Sequence, residues 1–191
     1  RDSVASRGLG DVYKRQLLYH SLGFVTEGTV HLYQGQMPAM PAARLELEGQ
    51  IDALAPHALA EIAALDTQAF GADRMAHLAA LAETATIHVL RRAGAIVGYS
   101  MCRAFGRGHV IGPVVAASEN DAIHLAAAHM DGLGGRHVRV DTRSEGPFAD
   151  FLRRSGLSAI ETVTTMSKGR RVLTSEAGQP IIFGLAGHAL N

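Results

Sequence analysis

The chain has 191 residues, of which 47% are hydrophobic, so it can bury the core of one or two domains. Lysine plus arginine equals aspartate plus glutamate at 18 each, which leaves no net field to attract nucleic acid or an anionic membrane. No apolar run reaches the length of a membrane span, and the single cysteine, Cys102, excludes an intramolecular disulfide. We therefore expect a soluble globular protein of the reducing cytoplasm, with neither a nucleic-acid nor a membrane partner.

The first residues do not read as natural protein sequence. Residues 11–16 resemble the translated end of a transposon adapter used to prepare sequencing libraries, and residues 1–10 match the sequence that commonly precedes it. We expect residues 1–16 to be adapter-derived, with natural sequence starting at Leu17. A natural basic N-terminal arm is the alternative.

The alanine-rich residues 52–81 predict two helices, because apolar side chains recur at helical spacing on both sides of Gly71. Asp73 is the expected N-cap of the second helix. Residues 86–90 and 96–105 flank a glycine-containing turn and predict a β-hairpin.

A buried strand is predicted at residues 109–116, followed by a helix with Ser118 as its N-cap. The inner face of this helix is expected to carry Ala122, Leu125, Ala126, His129 or Met130, and Leu133. The remaining predicted elements are a strand at residues 137–141, a helix at 147–154, and strands at 158–167 and 181–185. This order predicts a mixed sheet with helices on its faces.

Two parts of the chain align with each other. Residues 18–24 match residues 151–157, and Thr29-Val30 matches Thr162-Val163 in the same register. The shared unit is a helix end, a glycine C-cap and a strand, and the matched register favours two copies of one domain over coincidence. We therefore predict residues 17–33 as the end of a first domain, 34–50 as a linker and 51–191 as a second domain. The first-domain remnant is expected at a sheet edge or loosely attached.

One phrase resembles a known family. A helix with the pattern Tyr-x-x-Leu-Gly-Phe precedes the final strands of the GCN5-related N-acetyltransferases (GNAT), and it is similar to Leu18-Tyr19-His20-Ser21-Leu22-Gly23-Phe24. Further phrases resemble the second domain of tandem bacterial GNAT proteins: Ala69-Phe70-Gly71-Ala72-Asp73-Arg74, Gly106-Arg107-Gly108, Ile111-Gly112-Pro113-Val114-Val115-Ala116 and Phe183-Gly184-Leu185-Ala186. The resemblance implies an α/β (α+β) fold with a mixed, mostly antiparallel sheet flanked by helices. It also implies a missing N-terminal GNAT domain as a partner.

The resemblance implies an enzyme that uses acetyl-CoA as co-substrate and needs no metal. A primary amine, of a small molecule or of a protein N-terminus or side chain, would attack the thioester directly. Tyr19 would be the general acid and Asp141 the general base. Other residues would contact the cofactor: Val114, Val115 and Ala116 along the pantetheine arm, Ser118 and Asn120 at the phosphates. Each residue also has a plainer alternative. Tyr19 could be a surface aromatic and Asp141 a turn-forming aspartate. Residues 114–116 could simply be a buried strand, and Ser118 and Asn120 could cap the helix.

The sequence also departs from the family pattern. The loop before the long helix lacks the usual glycines and carries Glu119 and Asp121, which would repel a pyrophosphate. Leu152 stands where a catalytic tyrosine is expected. The alternative is therefore a degenerate, non-catalytic domain that serves as a binding or structural partner of the missing catalytic domain. No pair of cysteine or histidine residues has zinc spacing, so a metal is not expected.

Overall fold

The computed structural model of the protein describes residues 16–38, 46–169 and 179–187. Residues 1–15 of the predicted adapter segment and residues 39–45 of the predicted linker lie outside these described residues. The elements are, in chain order, a helical segment at residues 16–21 (α1), β1 (Val25–Gln36), β2 (Gln50–Leu54), a 3₁₀ turn (Pro56–Ala58), α2 (Ala60–Phe70), α3 (Met75–Ala82), β3 (Thr86–Arg92), β4 (Ala95–Phe105), β5 (Gly108–Ala116), α4 (Glu119–Met130), β6 (His137–Thr142), α5 (Pro147–Arg154), β7 (Ser158–Ser167) and β8 (Ile181–Gly184).

Eight strands form one sheet in the order β2-β3-β4-β5-β6-β1-β7, and β8 pairs with β5 beside this path. Only β5 and β6 pair in parallel, and every other described ladder is antiparallel. Helices α4 and α5 bury Leu125 and Phe148 in the core on one face, whereas α2 and α3 bury Ile62 and Leu78 on the other. The predicted mixed, mostly antiparallel sheet flanked by helices is confirmed.

Strand β1 lies inside the sheet, between β6 and β7. It pairs through residues 31–36 with β6 and through residues 25–34 with β7. Val30 and Leu32 are only 2% exposed and Tyr33 is 1% exposed, so the middle of the strand is buried on both faces. The expectation that this segment lies at an edge or is loosely attached is therefore wrong. The strand also runs to Gln36, into the predicted linker.

The beginning of the predicted first helix is a strand instead. Residues 50–54 form β2, which pairs with β3 at the edge of the sheet. Ile51 and Leu54 reach opposite faces of the sheet and pack against the two cores, so pairing and burial outweigh the helical propensity of the alanines.

Two further local predictions are confirmed. The hairpin of β3 and β4 is present, and the Ser118 hydroxyl caps α4 by accepting a hydrogen bond from the Asp121 N–H at 3.2 Å. The predicted N-cap of α3 is wrong by one residue, because Arg74 occupies that position without a side-chain cap, and Asp73 before it accepts a hydrogen bond from the Met75 N–H at 2.8 Å. Among the described residues, no helix is long and apolar enough to cross a membrane.

Candidate functional site

The two parallel strands at the centre of the sheet separate along their length. β5 and β6 pair at His109–Val138 and Val110–Arg139, near the points where both strands begin. Further along, β8 lies in the gap and pairs antiparallel with residues 114–116 of β5. It is also tied to β6, because the Leu185 N–H donates to the Asp141 carbonyl at 2.8 Å and the Thr142 hydroxyl donates to the Phe183 carbonyl at 2.6 Å.

This arrangement determines what the predicted pantetheine residues contact. Val114, Val115 and Ala116 are each 0% exposed, and β4 pairs with their other edge. Both edges of β5 are therefore hydrogen-bonded at these residues. A pantetheine arm could bind this backbone only after β8 had left, so acetyl-CoA does not fit the gap as the described residues fill it.

Two glycines let β8 lie this close to β5. A Cβ at Gly112 would collide with the Leu185 carbonyl oxygen, and one at Gly184 would lie 2.8 Å from a methyl group of Val114. Phe183 and Leu185, which are 5% and 1% exposed, add side-chain packing. The C-terminal strand is thus an integral part of the core.

The N-terminus of α4 carries acidic side chains where a pyrophosphate would be expected. Glu119 accepts a hydrogen bond from the Phe148 N–H at 2.7 Å and so caps α5. Asp121 is paired with the Arg92 guanidinium through both carboxylate oxygens. Ser118 caps the helix and Asn120 is exposed. Because carboxylates already interact with the positive end of the helix, an added phosphate would be repelled.

Asp141, the predicted general base, lies in β6 and is 0% exposed. Its two carboxylate oxygens accept hydrogen bonds from Arg139 Nε and from a terminal guanidinium nitrogen, at 2.7 and 2.8 Å. Taking a proton from an amine would break this buried ion pair. Asp141 as general base stays a prediction, and the geometry favours a structural role for it.

Tyr19, the predicted general acid, lies on α1 and is 45% exposed. Its ring contacts Phe24 edge-on, with the ring centroids 5.5 Å apart. It lines a cavity of about 490 Å³ beside β7, together with Glu161 and Met166, and Asp141 does not line that cavity. The structure thus does not bring the predicted acid and base together. Leu152, at the matching position of α5, is fully buried.

Sequence reasoning missed a buried polar cluster between α2, α3 and β4. Arg74 donates two hydrogen bonds of 2.8 Å to the Asp66 carboxylate, and the Tyr99 hydroxyl donates to the same carboxylate. Burial, with the negative charge of Asp66 beside it, raises the pKa of Tyr99 well above its usual value. The Arg74 guanidinium also lies 4.3 Å from the centre of the Phe70 ring. The spacing of these residues along the chain gives no signal that they meet, and their contacts indicate a structural role.

Among the residues that the structure describes, no group of three or more histidine, cysteine, aspartate or glutamate side chains could hold a metal ion.

The separated central strands, the helix that joins them and the helices on both faces define an acetyltransferase-like α/β fold. A family model of the acetyltransferase (GNAT) domain matches residues 62–181, which is more than half of the chain. The chain therefore belongs to the GNAT acetyltransferase domain family. The match begins after β1 and β2, so β1, the strand that lies between β6 and β7, comes from outside the matched region.

Solved structures share this fold at low sequence identity. A protein from Pyrococcus horikoshii that carries an acetyltransferase assignment is 21% identical, with a TM-score of 0.68, and the match covers 92% of this chain and 56% of that one. A GCN5-related N-acetyltransferase from Sphaerobacter thermophilus is 19% identical, with a TM-score of 0.56 and coverages of 80% and 54%. This chain thus spans just over half the length of these two structures. A comparison with curated protein sequences gives no significant match.

Proposed function

We propose that this chain belongs to an enzyme that transfers an acetyl group from acetyl-CoA to a primary amine by direct attack on the thioester. We further propose that the domain of strands β2 to β8 is the non-catalytic half of that enzyme and supports a separate catalytic GNAT domain. Family membership supports the first statement. One observation carries the second: β8 is hydrogen-bonded to β5 in the gap where the family's cofactor arm would lie.

The free energy needed to move β8 out of the gap between β5 and β6 supports the non-catalytic assignment of this domain. Burying a phenylalanine or leucine side chain stabilises a fold by about 1.5–3 kcal/mol, and a hydrogen bond adds about 0.5–1.5 kcal/mol. Releasing Phe183, Leu185 and the two hydrogen bonds to β6 would therefore cost roughly 4–9 kcal/mol. Since about 1.4 kcal/mol is a factor of ten in affinity, acetyl-CoA binding would weaken by at least about a thousandfold.

The surface around α1 supports the proposed partner. Large apolar side chains are exposed along α1, in the turn after it and at the start of β1, namely Leu17, Leu18, Tyr19, Leu22 and Val25. A concentration of exposed apolar side chains in one short segment is typical of a protein contact. A catalytic domain packed here would cover these side chains and would receive Tyr19 as its general acid.

Calorimetric titration of acetyl-CoA into the purified chain, with its fold checked by circular dichroism, tests the non-catalytic assignment. We expect no saturable binding below about 1 mM, because β8 must leave first. Saturable micromolar binding would overturn the assignment.

The role of Tyr19 is tested in a longer protein that contains the catalytic domain. Tyr19→Phe is expected to lower kcat by about 10²–10⁴-fold with little change in KM, since a general acid acts only in the transition state. Ser21→Ala on the same helix is the matched control, because Ser21 is exposed and does not belong to the apolar surface. An unchanged kcat in Tyr19→Phe would remove this residue from the site without affecting the assignment of the β2–β8 domain.

A further inference from the structure

A second cavity lies at the opposite end of the central strands from the gap that holds β8. It has a volume of about 720 Å³ and is lined by the end of β1, the turn between β4 and β5, and residues 135–139. We call it the basic groove, after Arg107, Arg136 and Arg139 in its lining. A volume of this size falls within the range of about 300–1,000 Å³ that is typical of small-molecule sites.

The groove concentrates positive charge in a chain with no net charge. None of the described residues that line it is acidic. Within the described ranges, Arg107 and Arg136 form no ion pair and both are exposed, so their guanidinium groups can reach a ligand. Arg139 differs, because its contact with Asp141 fixes its orientation. The field in the groove therefore favours an anion.

An aromatic ring lies in the same lining. Phe105 is 45% exposed, although large apolar side chains are usually buried. The guanidinium carbons of Arg103 and Arg139 each lie 5.4 Å from its ring centre, so cation–π contacts hold the ring in place. A fixed, exposed ring near Arg107 and Arg136 offers a stacking surface for a planar group.

Two histidines add polar groups. His137 Nε2 lies 2.8 Å from the Gln34 side-chain nitrogen, which orients its ring. His109 also lines the groove.

We propose that the basic groove binds a small molecule that joins a planar ring to a phosphate or diphosphate group. Guanidinium groups form paired hydrogen bonds with phosphate oxygens, so Arg107 and Arg136 would hold the phosphates. The planar ring would stack on Phe105. The groove lies where β5 and β6 begin and is separate from the gap at β8, so this proposal does not depend on the proposed acyl transfer.

Calorimetry on the full chain with pyrophosphate, ADP and adenosine tests the proposal. We expect one pyrophosphate to bind saturably per chain and ADP to bind at least tenfold more tightly than pyrophosphate. Both ligands should bind more weakly at higher salt concentration. No saturable binding of pyrophosphate or ADP would overturn the proposal. Equal affinity for pyrophosphate and ADP would overturn the stacking on Phe105, and binding of adenosine as tight as that of ADP would overturn the role of the arginines.

Three variants locate the site. Arg107→Ala and Arg136→Ala are each expected to weaken ADP binding by about 10–100-fold, as for the loss of hydrogen bonds to a charged group. Arg154→Ala is the control, because Arg154 is an exposed arginine of α5 that does not line the groove. All three replacements are on the surface, and circular dichroism would confirm that the variants fold. An equal loss in the control would mean nonspecific attraction to positive charge and would overturn the assignment.

Discussion

The position of β1 inside the sheet predicts that this strand is part of the cooperative fold of the domain. Leu32 is 2% exposed and packs in a small cluster with Val30 and Leu185. Replacing a buried leucine by alanine costs about 2–5 kcal/mol, because the transfer free energy is lost and a cavity remains. For a protein of this size, about 1 kcal/mol corresponds to a shift of roughly 2–4 °C in Tm. Leu32→Ala is therefore expected to lower Tm by at least about 4 °C.

The assay is thermal and urea unfolding followed by circular dichroism. Leu22→Ala is the matched control, because Leu22 is 52% exposed and a surface substitution changes stability by no more than about 0.5 kcal/mol. A single transition that shifts for Leu32→Ala and not for Leu22→Ala would support the reasoning. Equal small shifts in both variants would refute it, since β1 would then lie outside the cooperative unit.

Three further predictions concern buried polar groups. Asp66→Ala should lower the free energy of unfolding by about 3–5 kcal/mol, measured in urea, because the buried Arg74 guanidinium loses its charged partner; a loss below 1 kcal/mol would contradict this. Burial, and next the adjacent His88, lower the pKa of His129 to about 3. Between pH 6.5, the usual pKa of an unfolded histidine, and pH 3 the unfolded state binds more protons than the folded state. The free energy of unfolding should therefore decrease as the pH is lowered, by up to about 1.4 kcal/mol per pH unit, and His129→Gln should flatten this slope. Burial raises the pKa of the Cys102 thiol to about 11, so a thiol reagent at pH 8 should label it only as fast as the protein unfolds.

The elements that the sequence predicted well are those with local causes. The hairpin of β3 and β4 follows from a glycine turn between β-branched runs, and the start of α4 follows from the Ser118 side chain. Both depend on residues within a few positions of each other. The order of the elements predicted a mixed sheet with helices on its faces, and the family resemblance added that the sheet is mostly antiparallel; the structure confirms both.

The positions of β1 and β8 depend on pairings between distant parts of the chain. Residues 25–36 lie between two strands that begin more than 100 positions later, and no periodicity in β1 identifies those partners. The sequence likewise predicted a strand at residues 181–185 without indicating that it would pair with residues 114–116. The arginines of the basic groove, Arg107, Arg136 and Arg139, come from two separate loops and a strand, so only the fold brings them together.

The place of β1 gives a physical basis for a supporting role of the domain. Only residues 22–24 separate α1 from β1, and the Phe24 N–H donates to the Tyr19 carbonyl at 3.0 Å, with Gly23 in the left-handed conformation at φ +85°. The ladder of β1 with β6 and β7 therefore also fixes the position of α1, which carries Tyr19. A general acid contributes to catalysis only when it is held in the correct position. Under the proposed function, a domain whose gap is filled by β8 would contribute to acyl transfer by holding Tyr19 in place through β1.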